Sequence, residues 1–394
     1  FLNINNPFTL SFILRLISSL IGYFSIIVLY NHLKLKLNLD NNFSKLLIFG
    51  FWFYAFLHAR TSSENLSISM LIFGFVLFDK FISFENQKNK FVVAILSGLF
   101  LGLSIILKFQ TIISIFFIFV WFIFFKLELK KLKYIVANST LILLTLFLGL
   151  VFDYYGYGSF NNTYYKYYYA NFVAKWFESF GIDPWWYYLK ILIEQFFPPI
   201  NIIILISIIF FWIKNLKNIL TFLTLPVIIT LSILSHKELR FLFPVLIFSP
   251  FFIGYFFSNT KKFFGKTFLL NLVIIFNILF MILLVIPATE QVKVYKFLYN
   301  NDVKNNKIYY YEDNPYIIND LEPKFYTNDL PNISELPLGL EYTNSYIILR
   351  DLKIYNKILE KGNCNSVFSV YPEFINKNNN WKDRKFNWYV IYCN

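Results

Sequence analysis

Four ionisable groups fall within five residues at His236-Lys237-Glu238-Leu239-Arg240, between the apolar runs 220–235 and 241–258. Two cations around a carboxylate, with an imidazole beside them, can hold an oxyanion and orient a hydroxyl in one place. Lys237 and Arg240 would carry the charge for a phosphate at lipid-headgroup depth. His236 or Glu238 would orient the hydroxyl, or pair with Arg240 and fix its rotamer. A lone Lys or Arg at such a place reads as a side chain snorkelling to water. A dense mixed-sign cluster at a membrane boundary costs desolvation and points to a site, the more so when Phe241 and Pro244 follow it.

Two further clusters carry unusual polarity. The turn Arg60-Thr61-Ser62-Ser63-Glu64-Asn65 joins two apolar runs. Ser62 or Ser63 suits the N-cap of the next helix and Glu64 its positive end, but capping does not account for Arg60, whose planar fork matches phosphate or carboxylate. The segment 153–195 opens with Asp153, Tyr157 and Gly158, passes Asn171, and reaches Gly181, Pro184, Trp185 and Trp186. Its rings match an interfacial aromatic belt. Its Gly and Pro residues specify turns that a belt does not need, so a surface loop fitting a sugar face and a lipid chain is the sharper reading. Asp153, directly after an apolar run, would meet a sugar or pair with Arg60 or Arg240. The three histidines, His32, His58 and His236, are scattered without zinc spacing, and no Gly-rich nucleotide loop is present. Neither a metal nor a cofactor is expected, and a soluble nucleotide sugar is disfavoured as donor.

What must position these groups is a membrane bundle. Of 394 residues, 57% are hydrophobic and 15% charged, and the apolar residues come in runs rather than periodic faces. Ten runs approach the length of a helical span: 8–30, 46–58, 64–78, 91–107, 111–125, 134–152, 196–213, 220–235, 241–258 and 267–287. Arg15 is the ionisable group well inside a run and is expected to face the bundle. Alternate connections hold the lysines: Lys34, Lys36 and Lys45; Lys80, Lys88 and Lys90; Lys126, Lys130, Lys131 and Lys133; Lys214 and Lys217; Lys261, Lys262 and Lys266. By the positive-inside rule these are cytoplasmic, which places Arg60, Lys108, 153–195 and His236 on the exoplasmic face. The net charge of +13 lies in short loops and is no nucleic-acid footprint. The chain opens at Phe1, outside the membrane and just before a span, so a preceding span and loop are expected.

Residues 1–287 then form the membrane domain and 288–394 a small α+β exoplasmic domain, where Asn, Asp, Lys and Tyr replace the apolar runs. Segments 303–311, 345–349 and 388–392 have strand composition. Cys364 and Cys393 lie here, and a disulfide and two free thiols are both compatible with the sequence. Asn is abundant, as in Asn378-Asn379-Asn380, so the sequons at Asn161 and Asn332 carry little weight.

Together the clusters resemble the multi-span mannosyltransferases of glycosyltransferase family 22, of the GT-C architecture, from the GPI-anchor and N-glycan pathways. The hallmark His-Lys-Glu-x-Arg-Phe with a following Pro is matched by His236, Lys237, Glu238, Arg240, Phe241 and Pro244. Asp153, Tyr157, Gly158, Asn171, Phe180, Gly181, Pro184, Trp185, Tyr187 and Tyr188 fit the family's long luminal loop, and Arg60, Thr61, Ser63 and Glu64 its Arg-Thr turn. The resemblance spans about residues 8–290. It implies a polytopic all-α enzyme that transfers mannose, with inversion, from a polyprenyl (dolichyl) phosphate donor to a lipid-linked glycan on the exoplasmic face. Its setting would be the endoplasmic reticulum membrane in a eukaryote and the inner membrane in a bacterium. The family's presumed base, an Asp of the first luminal loop, would precede Phe1. A lipid-linked-glycan transporter is the rival reading, but the charges cluster at one face and no internal repeat is visible. A GT-C transferase of another sugar would keep the topology without predicting His-Lys-Glu-x-Arg-Phe.

Overall fold

The structure, a computed structural model, describes residues 6–83, 89–195, 200–260, 266–284, 290–301, 303, 306–318, 320–337, 343–360, 363–371 and 387–394. Lys88, Lys261, Lys262, Asn378 to Asn380, the ends of the runs 196–213 and 267–287, and the boundary at 287 lie outside the described residues. The chain divides into two compact units, Leu14–Leu284 and a second made of Phe1–Ile13 with Val285–Asn394.

The larger unit is helical. Helix α1 spans Pro7–Leu33, α2 Asn42–Phe49, α3 Trp52–His58, α4 Ser63–Ser83, α5 Lys90–Leu107, α6 Thr111–Phe125 and α7 Leu129–Tyr157. Two short helices, α8 (Thr163–Tyr168) and α9 (Tyr187–Gln195), frame the segment that follows. Then come α10 (Ile200–Lys214), α11 (Ile219–Ile233), α12 (Phe243–Leu246), α13 (Ser249–Asn259) and α14 (Lys266–Leu283). Among the described residues, α1, α4, α5 and α7 are long and apolar enough to cross a membrane singly. The stretch Leu239–Leu246 and α13 form a pair bent by 50°, with Pro244 and Pro250 near the two helix starts, and α6, α10, α11 and Thr267–Leu283 are shorter apolar helices. The protein is an integral membrane protein.

The run 46–58, read as one span, is instead broken into α2 and α3 at Gly50-Phe51. The break is stabilised from afar. Asn277 of α14 accepts a hydrogen bond from Trp52 N at 2.9 Å and donates to Gly50 O, so the freed backbone groups are not left bare in an apolar setting.

Close approach holds α4, α5 and α7 together. A Cβ at Gly98 would lie 2.3 Å from Asn138 O, and one at Gly102 would lie 2.7 Å from Thr145 Cβ. Small residues of this kind let helix backbones touch in lipid, where dispersion and polar bonds replace the hydrophobic effect. Ser67 and Ser104 donate to each other's carbonyls at 2.9 Å, Ser97 donates to Gly74 O at 2.8 Å, and Asn138 donates to Ala94 O at 3.0 Å. At the far end of α4, Asp79 accepts from His32 Nε2 at 2.8 Å, Lys36 Nζ at 2.5 Å and Ser83 Oγ at 2.7 Å, which fastens α1 to α4.

The second unit carries α15 (Gln291–Asn300), β1 (Lys307–Tyr310), α16 (Lys324–Thr327), β2 (Ile333–Glu335), β3 (Ser345–Leu349), α17 (Leu352–Glu360), β4 (Cys364–Ser369) and β5 (Tyr389–Cys393). The sheet order is β2-β1-β3-β5-β4, with β1 parallel to β2 and β3, and β5 antiparallel to β3 and β4. Alternation along β3 and β5 sends Ile348 and Val390 to one core with Tyr295 and Trp388, and Ile347 and Ile391 to another with Tyr355 and Ile358 of α17. Phe8 joins the first core, stacking on Tyr326 at 5.4 Å and meeting Tyr299 edge-on at 5.8 Å. Strands expected at 303–311, 345–349 and 388–392 correspond to β1, β3 and β5. Cys364 and Cys393, opposite each other on β4 and β5, form a disulfide.

Candidate active site

One end of the helical bundle gathers the polar groups that the apolar runs separate in sequence. The Arg60 turn is built by the carboxamide of Asn65. It donates to His58 O at 3.0 Å and Arg60 O at 2.9 Å, while its oxygen meets His58 Nδ1 at 2.7 Å. Ser62 Oγ accepts from Asn65 N at 3.3 Å and so caps α4. The Arg60 guanidinium lies 3.7 Å from the centre of the Phe56 ring, and burial, then the like charge of Arg15, pull its pKa down. Arg15 itself is exposed rather than packed inside the bundle as expected.

Glu64, in the first turn of α4, pairs with Lys108 at the end of α5 at 2.7 Å, both ends largely shielded from solvent. Arg240 is close enough for its charge to act on Glu64. A cavity of about 210 Å³ opens beside this pair, lined by Lys108, Gln110, Tyr167, His236, Glu238, Arg240 and Phe241. Burial pushes the Tyr167 hydroxyl pKa up, opposed by a hydrogen bond with Gln110 and the charge of Arg240.

The motif wraps the cavity as its chain bends through His236, extends at Glu238 and then tightens into a 3₁₀ turn at Leu239–Leu242. Glu238 gathers its neighbours: Arg240 Nη2 donates to Oε1 at 2.8 Å, Arg240 Nε contacts Oε2, and His236 Nε2 lies 3.3 Å from Oε1. The two-point contact fixes the guanidinium plane toward the cavity, so Glu238 orients Arg240 as the sequence allowed.

Lys237 points the other way. It is 4% exposed, and its ammonium donates to Asp183 O at 3.0 Å and Leu234 O at 2.5 Å. Lys237 N donates to Asp183 Oδ2 at 3.1 Å, and Asp183 N donates to Ser235 O at 2.8 Å. These bonds form a seam between the motif and the loop before α9, spanning 54 residues of sequence. Burial pulls the Lys237 pKa down, partly offset by the Asp183 charge. Tyr188, the second residue of α9, is buried close to Glu238, and burial pushes its hydroxyl pKa well up.

Within 153–195 the structure brings Tyr167, not Asp153, to the cavity. Asp153 lies in the last turn of α7 and accepts from the Thr163 hydroxyl at the start of α8. Tyr157 is exposed at the end of α7, where Gly158 takes a left-handed φ of 68° that ends the helix. Asn171 Nδ2 donates to Tyr167 O at 2.7 Å and steadies the turn carrying that ring. Trp185 and Trp186 are exposed, Trp185 to 72%. Lys108, Gln110, Tyr167 and Asp183 were not singled out from sequence. The signal for Lys108 was there: it is the cation of a short connection that the loop alternation puts on the same face as Arg60 and His236.

A model of the Alg9-like mannosyltransferase family matches residues 2–318. The crystal structure of ArnT from Cupriavidus metallidurans in the apo state superposes with a TM-score of 0.54 at 7% identity, over 96% of this chain and 82% of that one. The same protein bound to undecaprenyl phosphate gives a TM-score of 0.46 at 8% identity, over 97% and 83%. The fold is therefore the ArnT-like GT-C fold. No curated protein matches the chain in sequence.

Proposed function

We propose, for a chain that belongs to the Alg9-like mannosyltransferase family, that this glycosyltransferase moves mannose from a polyprenyl phosphate donor to a lipid-linked glycan at the cavity beside Arg240. The observation that carries the reading is the convergence of Lys108, His236 and Arg240 on one cavity at one end of an apolar bundle. In this reading Arg240 and Lys108 take the donor phosphate, Glu238 fixes Arg240, and Lys237 holds the motif to the loop before α9. Arg60 lies on the same end and serves the lipid-phosphate approach. The exposed rings of Trp185 and Trp186 meet headgroups and the lipid chain.

The acceptor hydroxyl attacks the anomeric carbon, the bond from that carbon to the phosphate oxygen breaks, and configuration inverts. The proton passes to a carboxylate, for which no residue is assigned, and polyprenyl phosphate departs with the bonding pair. Cations aimed at that phosphate favour the charge that develops on it. The ten crossings follow if α2 with α3, and α12 with α13, each count as one broken span, alongside α1, α4 to α7, α10, α11 and α14. The site end is then exoplasmic.

The test is reconstitution into vesicles with polyprenyl phosphate [³H]mannose and a mannose-ended glycolipid. Transfer that collapses in Arg240→Ala at normal protein level supports the reading. Movement of the glycolipid across the bilayer without transfer would establish the transporter instead.

A further inference from the structure

The second unit holds a cleft of about 640 Å³ between the amino ends of the parallel strands β1 and β2, in the range of about 300–1,000 Å³ that suits small ligands. Its floor is apolar, with Ile308 and Leu330 buried and Pro331 half-buried. Its rim is amide-rich: Asn328 and Asn332 border it with the Ser334 hydroxyl, and Asn306 is held beside them by donating to Asn344 Oδ1 at 3.0 Å. Lys307 and Asp329 add opposite charges that cancel.

We propose that this cleft binds a neutral oligosaccharide. A carboxamide presents a donor and an acceptor side by side, which is what vicinal sugar hydroxyls require. The apolar floor suits the C–H face of a pyranose, and Tyr309 supplies a ring among the lining residues. A phosphate or nucleotide ligand would call for surplus positive charge, which the cancelling pair does not provide. Because β2 is an edge strand, an added peptide strand is the competing occupant. Specifying the sugar as part of the acceptor glycan rests on the transfer reading above; the cleft's preference for a neutral glycan does not. Binding here would hold the acceptor's glycan chain on the enzyme between encounters with the bundle.

The experiment uses the whole protein in nanodiscs with free α-linked mannotriose, followed by saturation-transfer NMR. Wild type should show sugar saturation. Asn328→Ala with Asp329→Ala, both at exposed positions where substitution costs the fold little, should weaken it at least tenfold, and Ser334→Ala several-fold. Arg240→Ala should bind mannotriose like wild type. Absence of sugar saturation in wild type, or binding indifferent to the cleft variants, overturns the inference, as does loss in Arg240→Ala alone, which would put the sugar at the transfer cavity. Displacement of the sugar signal only by extended peptides would identify the strand-adding occupant and also overturn it. If no mannose is transferred yet the cleft variants still abolish sugar binding, the cleft stands and the transfer reading falls.

Discussion

Asp183→Ala is the substitution that separates a positioning seam from a phosphate site most cleanly. The Asp183 carboxylate accepts the Lys237 N–H at 3.1 Å, while the residue's own backbone makes the other two bonds of the seam, to Ser235 O at 2.8 Å and from Lys237 Nζ at 3.0 Å. Alanine therefore removes one bond and keeps two. A hydrogen bond to a charged acceptor contributes about 1.5–3 kcal/mol. If that loss loosens the Glu238–Arg240 pair in the transition state, kcat/KM falls by roughly ten- to a hundredfold, at about 1.36 kcal/mol per factor of ten. Asp183→Asn keeps a neutral acceptor, so about 1 kcal/mol is lost and the fall is roughly fivefold. A pH series adds a second readout. The attraction between the Asp183 charge and the Lys237 ammonium acts only while Lys237 is protonated. That share of the Asn variant's stability deficit should be present at neutral pH and be lost as pH rises through the Lys237 pKa, which burial sets below the usual lysine value, while the share from the weaker bond to Lys237 N persists. The assays are initial-rate mannose transfer in vesicles and thermal unfolding in detergent across that pH range. A wild-type rate in Asp183→Ala, or an Asn variant no better than Ala, would refute the seam as a positioning device.

Lys108→Gln should raise the donor KM by roughly ten- to a hundredfold while leaving the level of folded protein near normal, because its partner Glu64 keeps partial access to solvent; a change confined to stability would make the Glu64 pair structural. Asn277→Leu leaves Gly50 O and Trp52 N without a partner and should cost about 2–4 kcal/mol, seen as a lower thermal midpoint, whereas a midpoint equal to wild type would mean the α2–α3 break supports itself. Single cysteines placed at Lys131 and at Asn161 should react with impermeant reagent from opposite sides of sealed vesicles, and labelling of both from one side would overturn the topology and every face assignment made for the site.

What could be read before any coordinates were known follows from the range over which each feature is determined. Apolar runs are legible because lipid demands them residue by residue. The motif is legible because His236, Glu238 and Arg240 meet one another within five residues. The α2–α3 break was invisible for the opposite reason: Gly50 alone does not end a helix, and the Asn277 that makes the break tolerable is 227 residues away. Lys108 alone reads as a snorkelling residue until α4 is laid beside α5 and Glu64 meets it. In the same way, Tyr167 was one tyrosine among many until a π-type turn at Tyr169–Val173 and the Asn171 bond aimed its segment at the cavity.

Lys237 shows how one short motif can hold side chains that face two ways. Local chemistry grouped it with Arg240 as two cations for one phosphate, since both follow His236 by a few residues. The backbone bends through His236 and is extended at Glu238 before the 3₁₀ turn begins, so neighbouring side chains leave it in different directions. His236 and Glu238 line the cavity, and Lys237 between them faces the loop. The turn then returns Arg240 to the cavity side, two residues from the carboxylate that fixes it. A buried ammonium on the loop side needs carbonyl acceptors, which Asp183 and Leu234 supply. The spacing His-Lys-Glu-x-Arg thus encodes one cation for the cavity and one for the scaffold.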